Sequence, residues 1–340
     1  MYADRHTSSG LYTIFWTLTI DMNKVIFIGN GINRISNNLS WNDLLLELQQ
    51  EDFQGLMFNP EPLPDSLPST LKYEFILLSS YIRHQFDAAV EKGKDRQLKF
   101  KESIAEKMRT FVGNDIYDRL VEIPSVQFIT TNYDHVLDYT LKKGMFNFVD
   151  KNSSETLYNI RRFRAYERNN VKTKIFPIHG DIDAPKSITI DYNHYCGTVA
   201  KIDSYLKGSY EWEKRIKIDA IDKRIQDNDK QIYSWIDHFF FSDIHILGFS
   251  MEWVEIELWW LLDKRRRYQR AGLDINNQIV FYFNQTRGEI EADKASEAYA
   301  KYMMLEKLGV QCDFIDFSPK GNRDFLLAYH QILDSIQNRI

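Results

Sequence analysis

Val25-Ile26-Phe27-Ile28-Gly29-Asn30-Gly31 decides the reading of the fold. Four apolar residues in succession, with no polar alternation, describe a strand buried on both faces. The glycine that ends the run, and the Asn-Gly pair after it, describe a sharp turn. The same grammar returns further along. Val126-Gln127-Phe128-Ile129-Thr130 leads into Thr131-Asn132-Tyr133-Asp134, and Ile175 to Ile178 stops at His179-Gly180. Ile244-His245-Ile246-Leu247 ends at Gly248-Phe249-Ser250, Ile279 to Phe283 ends at Asn284, and Val310 to Ile315 reads as a last strand.

Helical patterns fill the intervals. Ser40 stands as an N-cap before Trp41, with Asp43 three residues on. Gln50 to Pro68 is polar and proline-rich, a loop. Tyr73 to Val90 reads as a helix apolar on more than one side. Phe100, Ile104, Met108 and Phe111 recur at the spacing of one buried helical face. Asp134 to Lys142 and Arg323 to Ile340 read as helices. Lys201 to Gln231 reads as a charged helical segment with a break at Asp227-Asn228-Asp229. Trp253, Ile256, Trp259 and Trp260 form an apolar stripe, expected in the core or at an oligomer interface. Strand and helix alternate, so the expected class is α/β: a Rossmann-like parallel sheet with helices on both faces. One domain is expected over 24–340, with helical insertions at about 50–120 and 200–240, preceded by an extension over 1–23.

Composition removes several classes. Lys and Arg number 43 against 48 Asp and Glu, a net charge of −5, so a bulk electrostatic affinity for nucleic acid is not expected. Two cysteines, Cys196 and Cys312, cannot build a disulfide framework or a four-cysteine zinc ribbon. Leu11 to Ile20 is apolar but interrupted by threonines, and a bilayer span needs about 20 residues. It also lacks the basic start and small-residue cleavage site of a signal peptide. A cytoplasmic protein without a membrane partner is the expectation.

An open parallel sheet binds ligands beyond the C-terminal ends of its strands. Those ends carry Gly29, Asn30, Gly31, Thr131, Asn132, Asp134, His179, Gly248, Ser250 and Asn284. Glycines let a backbone approach a phosphate closely. Arg34 occupies the place of the third glycine of a dinucleotide fingerprint, and no acidic residue ends a second strand about 20 residues on, which disfavours a hydride-transfer dehydrogenase. Glu252 replaces the second glycine of a nucleophile elbow, which disfavours a serine hydrolase and leaves Ser250 as a phosphate or ribose contact. A strand-end asparagine can hold a water or a sugar hydroxyl, and a histidine titrates near neutrality and can accept a proton. The plainer alternatives remain open here: Asn132 as an Asx-turn residue and His179 as a satisfied, half-buried imidazole. His194 and Cys196 are too few to suggest a metal site.

Taken together these segments resemble the sirtuin-like family, and most of all the bacterial sirtuin-like NAD hydrolases of anti-phage defence. The resemblance rests on Gly29-Asn30-Gly31-Ile32-Asn33, Ser40-Trp41-Asn42-Asp43-Leu44-Leu45, Thr130 to Asp134, His179-Gly180, Ile188 to Tyr192, Gly248-Phe249-Ser250 and Asn284. It runs over about residues 24–285. Asn30 stands where that family has alanine and Asn33 where it has serine. The first turn also resembles an abortive-infection toxin family that begins with Gly-Asn-Gly. The missing zinc ribbon separates the chain from protein-deacylating sirtuins.

The resemblance implies an NAD glycohydrolase, with NAD as substrate and no metal. By that likeness Asn132 positions a water and the ribose hydroxyls, and His179 is the general base. Thr131 and Asp134 hold the nicotinamide end. Gly29, Asn30, Gly31 and Asn33 cradle the pyrophosphate, and Gly248, Ser250 and Asn284 take the adenosine side. The likeness further implies an NAD-depleting defence effector that forms a homo-oligomer and works with a separate partner such as a ring-forming ATPase. Two other expectations stand beside it: a nucleotide-binding regulatory subunit without turnover, and a structural scaffold of a defence complex.

Overall fold

The computed structural model describes residues 24–37, 43, 44, 47, 96–152, 157–212, 216–318 and 324–339. The expected extension over 1–23, the cap at Ser40, the loop over 50–68 and the helical stretch over 73–90 lie outside them.

Eight strands form one sheet: β1 (Lys24–Ile28), β2 (Val126–Thr130), β3 (Asn147–Asn152), β4 (Phe163–Arg168), β5 (Val171–Pro177), β6 (Asp243–Leu247), β7 (Ile279–Phe283) and β8 (Gln311–Phe314). Their order across the sheet is β8-β7-β6-β1-β2-β5-β4-β3. The six strands from β8 to β5 run parallel, with Ile26 opposite Phe128 on one side and His245 on the other. From β1 the chain first builds towards β2 and β5, then returns to β6 on the far side of β1. The strand order therefore reverses between β1 and β6, which is where such sheets open a crevice.

The described helices are α1 (Arg34–Asn37), α2 (Arg96–Met108), α3 (Asp115–Val121), α4 (Val136–Lys143) and α5 (Tyr192–Leu206). They continue with α6 (Ile221–Gln226), α7 (Trp235–Phe241), α8 (Ile256–Arg270), α9 (Arg287–Ala292), α10 (Glu297–Lys307) and α11 (Phe325–Arg339). Successive residues of a strand point to opposite faces. Ile26 and Ile28 thus enter one apolar layer with Phe100, Ile104 and Met108 of α2, the face that the helical spacing predicts. Val25 and Phe27 enter the other layer with Leu258, Leu261 and Leu262 of α8. Burying one such side chain fully contributes about 1.5–3 kcal/mol. With both faces covered, polar alternation would be destabilising, which explains the unbroken apolar run.

Three expectations are refined. The sheet is not wholly parallel, because β4 and β3 extend it antiparallel at one edge. β3 is almost entirely exposed and so carries no apolar run to betray it. The β4–β5 turn is Asn169-Asn170, both at positive φ (54° and 64°), the twist a two-residue hairpin requires. The segment from Lys201 to Gln231 is not one helix. α5 stops at Leu206, Gly208 turns the chain at φ 68°, and a short antiparallel pairing of Glu211–Trp212 with Ile216–Lys217 precedes α6. The tryptophan stripe is divided: Trp253 and Ile256 are 45% and 48% exposed, while Trp259 and Trp260 are partly buried against the layer that α8 enters through its leucines. Among the described residues, no helix is long and apolar enough to cross a membrane.

Candidate active site

A cleft of about 520 Å³ opens at the reversal of strand order. Its floor is made by the turns that leave the parallel strands: Asn30 and Gly31 after β1, Thr131 and Tyr133 after β2, His179 after β5, Gly248 and Ser250 after β6, and Asn284 after β7. Glu252, Val254 and Glu255 wall one side, Lys301 of α10 also lines the cleft, and Phe317, Phe325 and Tyr329 give an aromatic end. Lys301 Nζ is held by Glu252 at 2.9 Å and by Glu297 at 2.8 Å.

The glycines serve the contact between two turns. Gly31 N–H donates to the Gly248 carbonyl at 2.7 Å, and Gly29 N–H to the Leu247 carbonyl at 3.1 Å. A Cβ on Gly29 would stand 2.4 Å from the Gly248 oxygen and 2.7 Å from Phe249 Cα. Gly248 itself takes φ +63°, a conformation that a side chain resists. The close approach that these glycines permit is thus made in part to the protein's own backbone.

His179 is carried to the cleft wall by the end of β5. Ile178 N–H donates to the Thr130 carbonyl at 2.9 Å, and the His179 carbonyl accepts from Thr189 N–H at 2.7 Å. Gly180 follows at φ +121°, where a Cβ would meet Ile188 Cα at 2.6 Å, so the chain turns sharply and leaves the imidazole fixed. The ring is 4% exposed and meets the Tyr195 ring edge-on at 5.3 Å. Its Nε2 stands 2.6 Å from Glu257 Oε1 and 3.6 Å from Glu255 Oε2. Burial lowers the His179 pKa, and the Glu255 carboxyl opposes that. Burial pushes both carboxyls up from 4.5 to about 8; at Glu255 the imidazole opposes the shift and Glu257 adds to it.

The other expected site residues lie behind the cleft floor. Asn33 is fully buried: its Nδ2 donates to Asn30 Oδ1 at 3.0 Å and to Asp134 Oδ2 at 2.8 Å, and its Oδ1 accepts from the Tyr117 hydroxyl at 2.6 Å. Asp134 Oδ1 accepts from Val136 N–H at 2.9 Å and so holds the start of α4. Burial raises the Asp134 pKa, against these two hydrogen bonds. Asn132 is 3% exposed, its Nδ2 3.4 Å from the Gly29 carbonyl, while its Oδ1 has no hydrogen-bond partner. Asn132 lines a small void with Tyr117, Asp134 and Arg164 instead of the cleft. The structure therefore brings Asn30, Gly31, Thr131, His179, Gly248, Ser250 and Asn284 to one cleft and sets Gly29, Asn33, Asn132 and Asp134 beneath it.

Residues 126–259 match the family described as SIR2-like domain. That stretch of the chain is similar to a SIR2-like domain. The match begins with β2 and ends in the first turn of α8, so it takes in Thr130 to Asp134, His179-Gly180 and the Gly248 turn. NAD(+) hydrolase ThsA of Enterococcus faecium is 25% identical over 177 residues, which cover 51% of this chain and 31% of that protein. The chain thus matches less than a third of that relative's length.

Within this matched stretch the sequence reading missed three neighbours of His179: Tyr195, Glu255 and Glu257. The signal available was two acids at i and i+2 shortly after the Gly-x-Ser turn, where a helix begins. The reading also missed the support behind the β5 turn. Arg164 on β4 grips Asp138 through two hydrogen bonds of 2.6 Å and pairs with Asp181, which also accepts from His135 at 2.9 Å. Two groups offer ligand atoms close enough for a cation, His179 with Glu255 and Glu257, and His135 with Asp181 and Asp183. In the first the short contact is of hydrogen-bond length, and in the second Asp181 is already paired with Arg164.

Proposed function

We propose that this protein cleaves NAD to nicotinamide and ADP-ribose. The observation that carries the reading is His179, held rigidly in the wall of a cleft whose volume suits a nucleotide ligand, about 300–1,000 Å³ being usual for such sites. The match of residues 126–259 to a SIR2-like domain and the likeness to an NAD hydrolase support it.

The chemistry follows from the substrate. The nicotinamide of oxidised NAD is cationic, so it leaves with the electron pair of the C1′–N bond and needs no proton. The ribose becomes oxocarbenium-like, and a water forms the new C1′–O bond and gives up one proton. His179 is assigned to take that proton, directly or from a ribose hydroxyl. Thr131 is assigned to the nicotinamide end and Ser250 and Asn284 to the adenosine side, all three lining the cleft. Asn30 and Gly31, which also line the cleft, are assigned to the pyrophosphate. Asn132 is assigned to the water and the ribose hydroxyls. It follows Thr131 in the chain, and its unpartnered Oδ1 must turn from the void towards the cleft to do so. Gly29, Asn33 and Asp134 then support the site from beneath.

The wider reading is a cytoplasmic, self-assembling effector that depletes NAD in anti-phage defence, held in check by a partner. The seat of Asn132 behind the cleft floor favours a second reading, a subunit that binds NAD without turning it over. Incubating the pure protein with NAD and measuring nicotinamide separates the two. Release that disappears in H179A supports the enzyme, and tight binding without release under every condition supports the regulatory subunit.

A further inference from the structure

His179 is not alone in the cleft wall. Two carboxyls approach the same ring nitrogen, Glu257 Oε1 at 2.6 Å and Glu255 Oε2 at 3.6 Å. Residues i and i+2 do not face one another on a helix. These two converge because Glu255 is the N-cap of α8, at φ −75° and ψ 53°, and only Glu257 lies within the helix. Glu257 is completely buried, whereas Glu255 lines the cleft. One oxygen of each, Glu255 Oε2 and Glu257 Oε2, is buried without a hydrogen-bond partner. A buried acid is costly, and apolar residues of the same volume would pack there at lower cost.

We propose that Glu257 and Glu255 are positioning residues for His179, together holding a proton against its Nε2 and so setting which ring nitrogen is free to act and how readily it does. This rests on the NAD-cleaving reading of the cleft. The attacking water forms the C1′–O bond and passes one proton to His179. One carboxyl of the pair, held protonated by burial at rest, then releases its own proton to solvent past Glu255, at the cleft surface, and the carboxylate left behind balances the imidazolium. The other groups around the ring do not share in this. Tyr195 of α5 and Tyr133 after β2 are both driven by burial to stay protonated, and Glu252 is tied to Lys301 of α10. Burial lifts the two acids to about 8, so the unit changes protonation near neutrality.

The test uses the full chain, with E257Q, E257D and E255Q beside the wild type, and reads two quantities. The first is NAD cleavage against pH. E257Q is expected to lower kcat by about 10²–10⁴-fold with KM changed less than about threefold. E257D is expected to restore part of the loss, and E255Q to displace the profile along pH. The second is the His179 imidazole titration by NMR without NAD, its signal identified by loss in H179N. Its midpoint is expected to move down in E257Q, because the group that stabilises the imidazolium is gone. A ring that titrates identically in wild type, E257Q and E255Q overturns the proposal, whatever the activities. A wild type that cleaves no NAD, with a titration that still shifts in E257Q, removes the NAD reading and leaves the pairing standing.

Discussion

Gly31 donates its backbone N–H to the Gly248 carbonyl at 2.7 Å, and that bond ties together the two turns on either side of the sheet's reversal point. The cleft exists because these turns meet without side chains between them. Its shape therefore depends on main-chain contact more than on any polar residue that lines it.

G29A places a methyl group 2.4 Å from the Gly248 oxygen, against backbone that has little room to yield. A loss of about 1–3 kcal/mol is expected, together with weaker NAD binding. Denaturant unfolding and calorimetric titration check both, and an unchanged midpoint and affinity would refute the account of the turn.

H179A and N132A separate the chemistry from the fold. Each is expected to lower nicotinamide release by about 10²–10⁴-fold while circular dichroism stays that of the wild type; H179A, which leaves the buried Glu257 without its partner, is expected to lose about 1–3 kcal/mol of stability and still fold. Full activity in both variants would remove the mechanism.

Arg164 supports the β5 turn from behind. R164A strips the guanidinium from Asp138 and Asp181, both almost fully buried, and breaking a buried pair costs about 3–5 kcal/mol. Burial pushes the Asp181 carboxyl up, but the hydrogen bond from His135 and the Arg164 charge outweigh it and hold the group below the usual carboxylate range. A depressed folded pKa contributes stability above the unfolded value of about 3.9 that is lost as pH falls further. Urea unfolding at pH 7 and pH 3 should therefore show a smaller gap between wild type and R164A in acid. An equal gap at both would contradict the pairing.

Glu255 and Glu257 carry the opposite sign. Their folded pKa values lie above the unfolded ones, so their contribution is fully present below pH 4.5 and is lost as pH rises towards about 8. The wild type should lose melting temperature over that window more steeply than E255Q/E257Q, whose amides cannot ionise. Parallel curves would mean that the carboxyls are not held protonated.

The sequence by itself determined the parallel sheet and the place of the cleft. Strand burial on two faces is written locally in runs such as Val25 to Ile28, and the turn residues that end those runs mark the ligand end of the sheet. The same local logic found the α2 face and the position of His179. It was silent on the β3–β4 hairpin, whose exposed edge strand has no apolar signature, and it did not separate Trp253 and Ile256, which are largely exposed, from Trp259 and Trp260, which pack against the core. What only the tertiary structure decided is which polar group meets which. Asn33 turns to Asp134, Arg164 reaches Asp181, and Glu257 closes on His179 from 78 residues further along the chain. Such pairings depend on sheet order and register. Packing of the whole chain sets those, and no window of neighbouring residues records them.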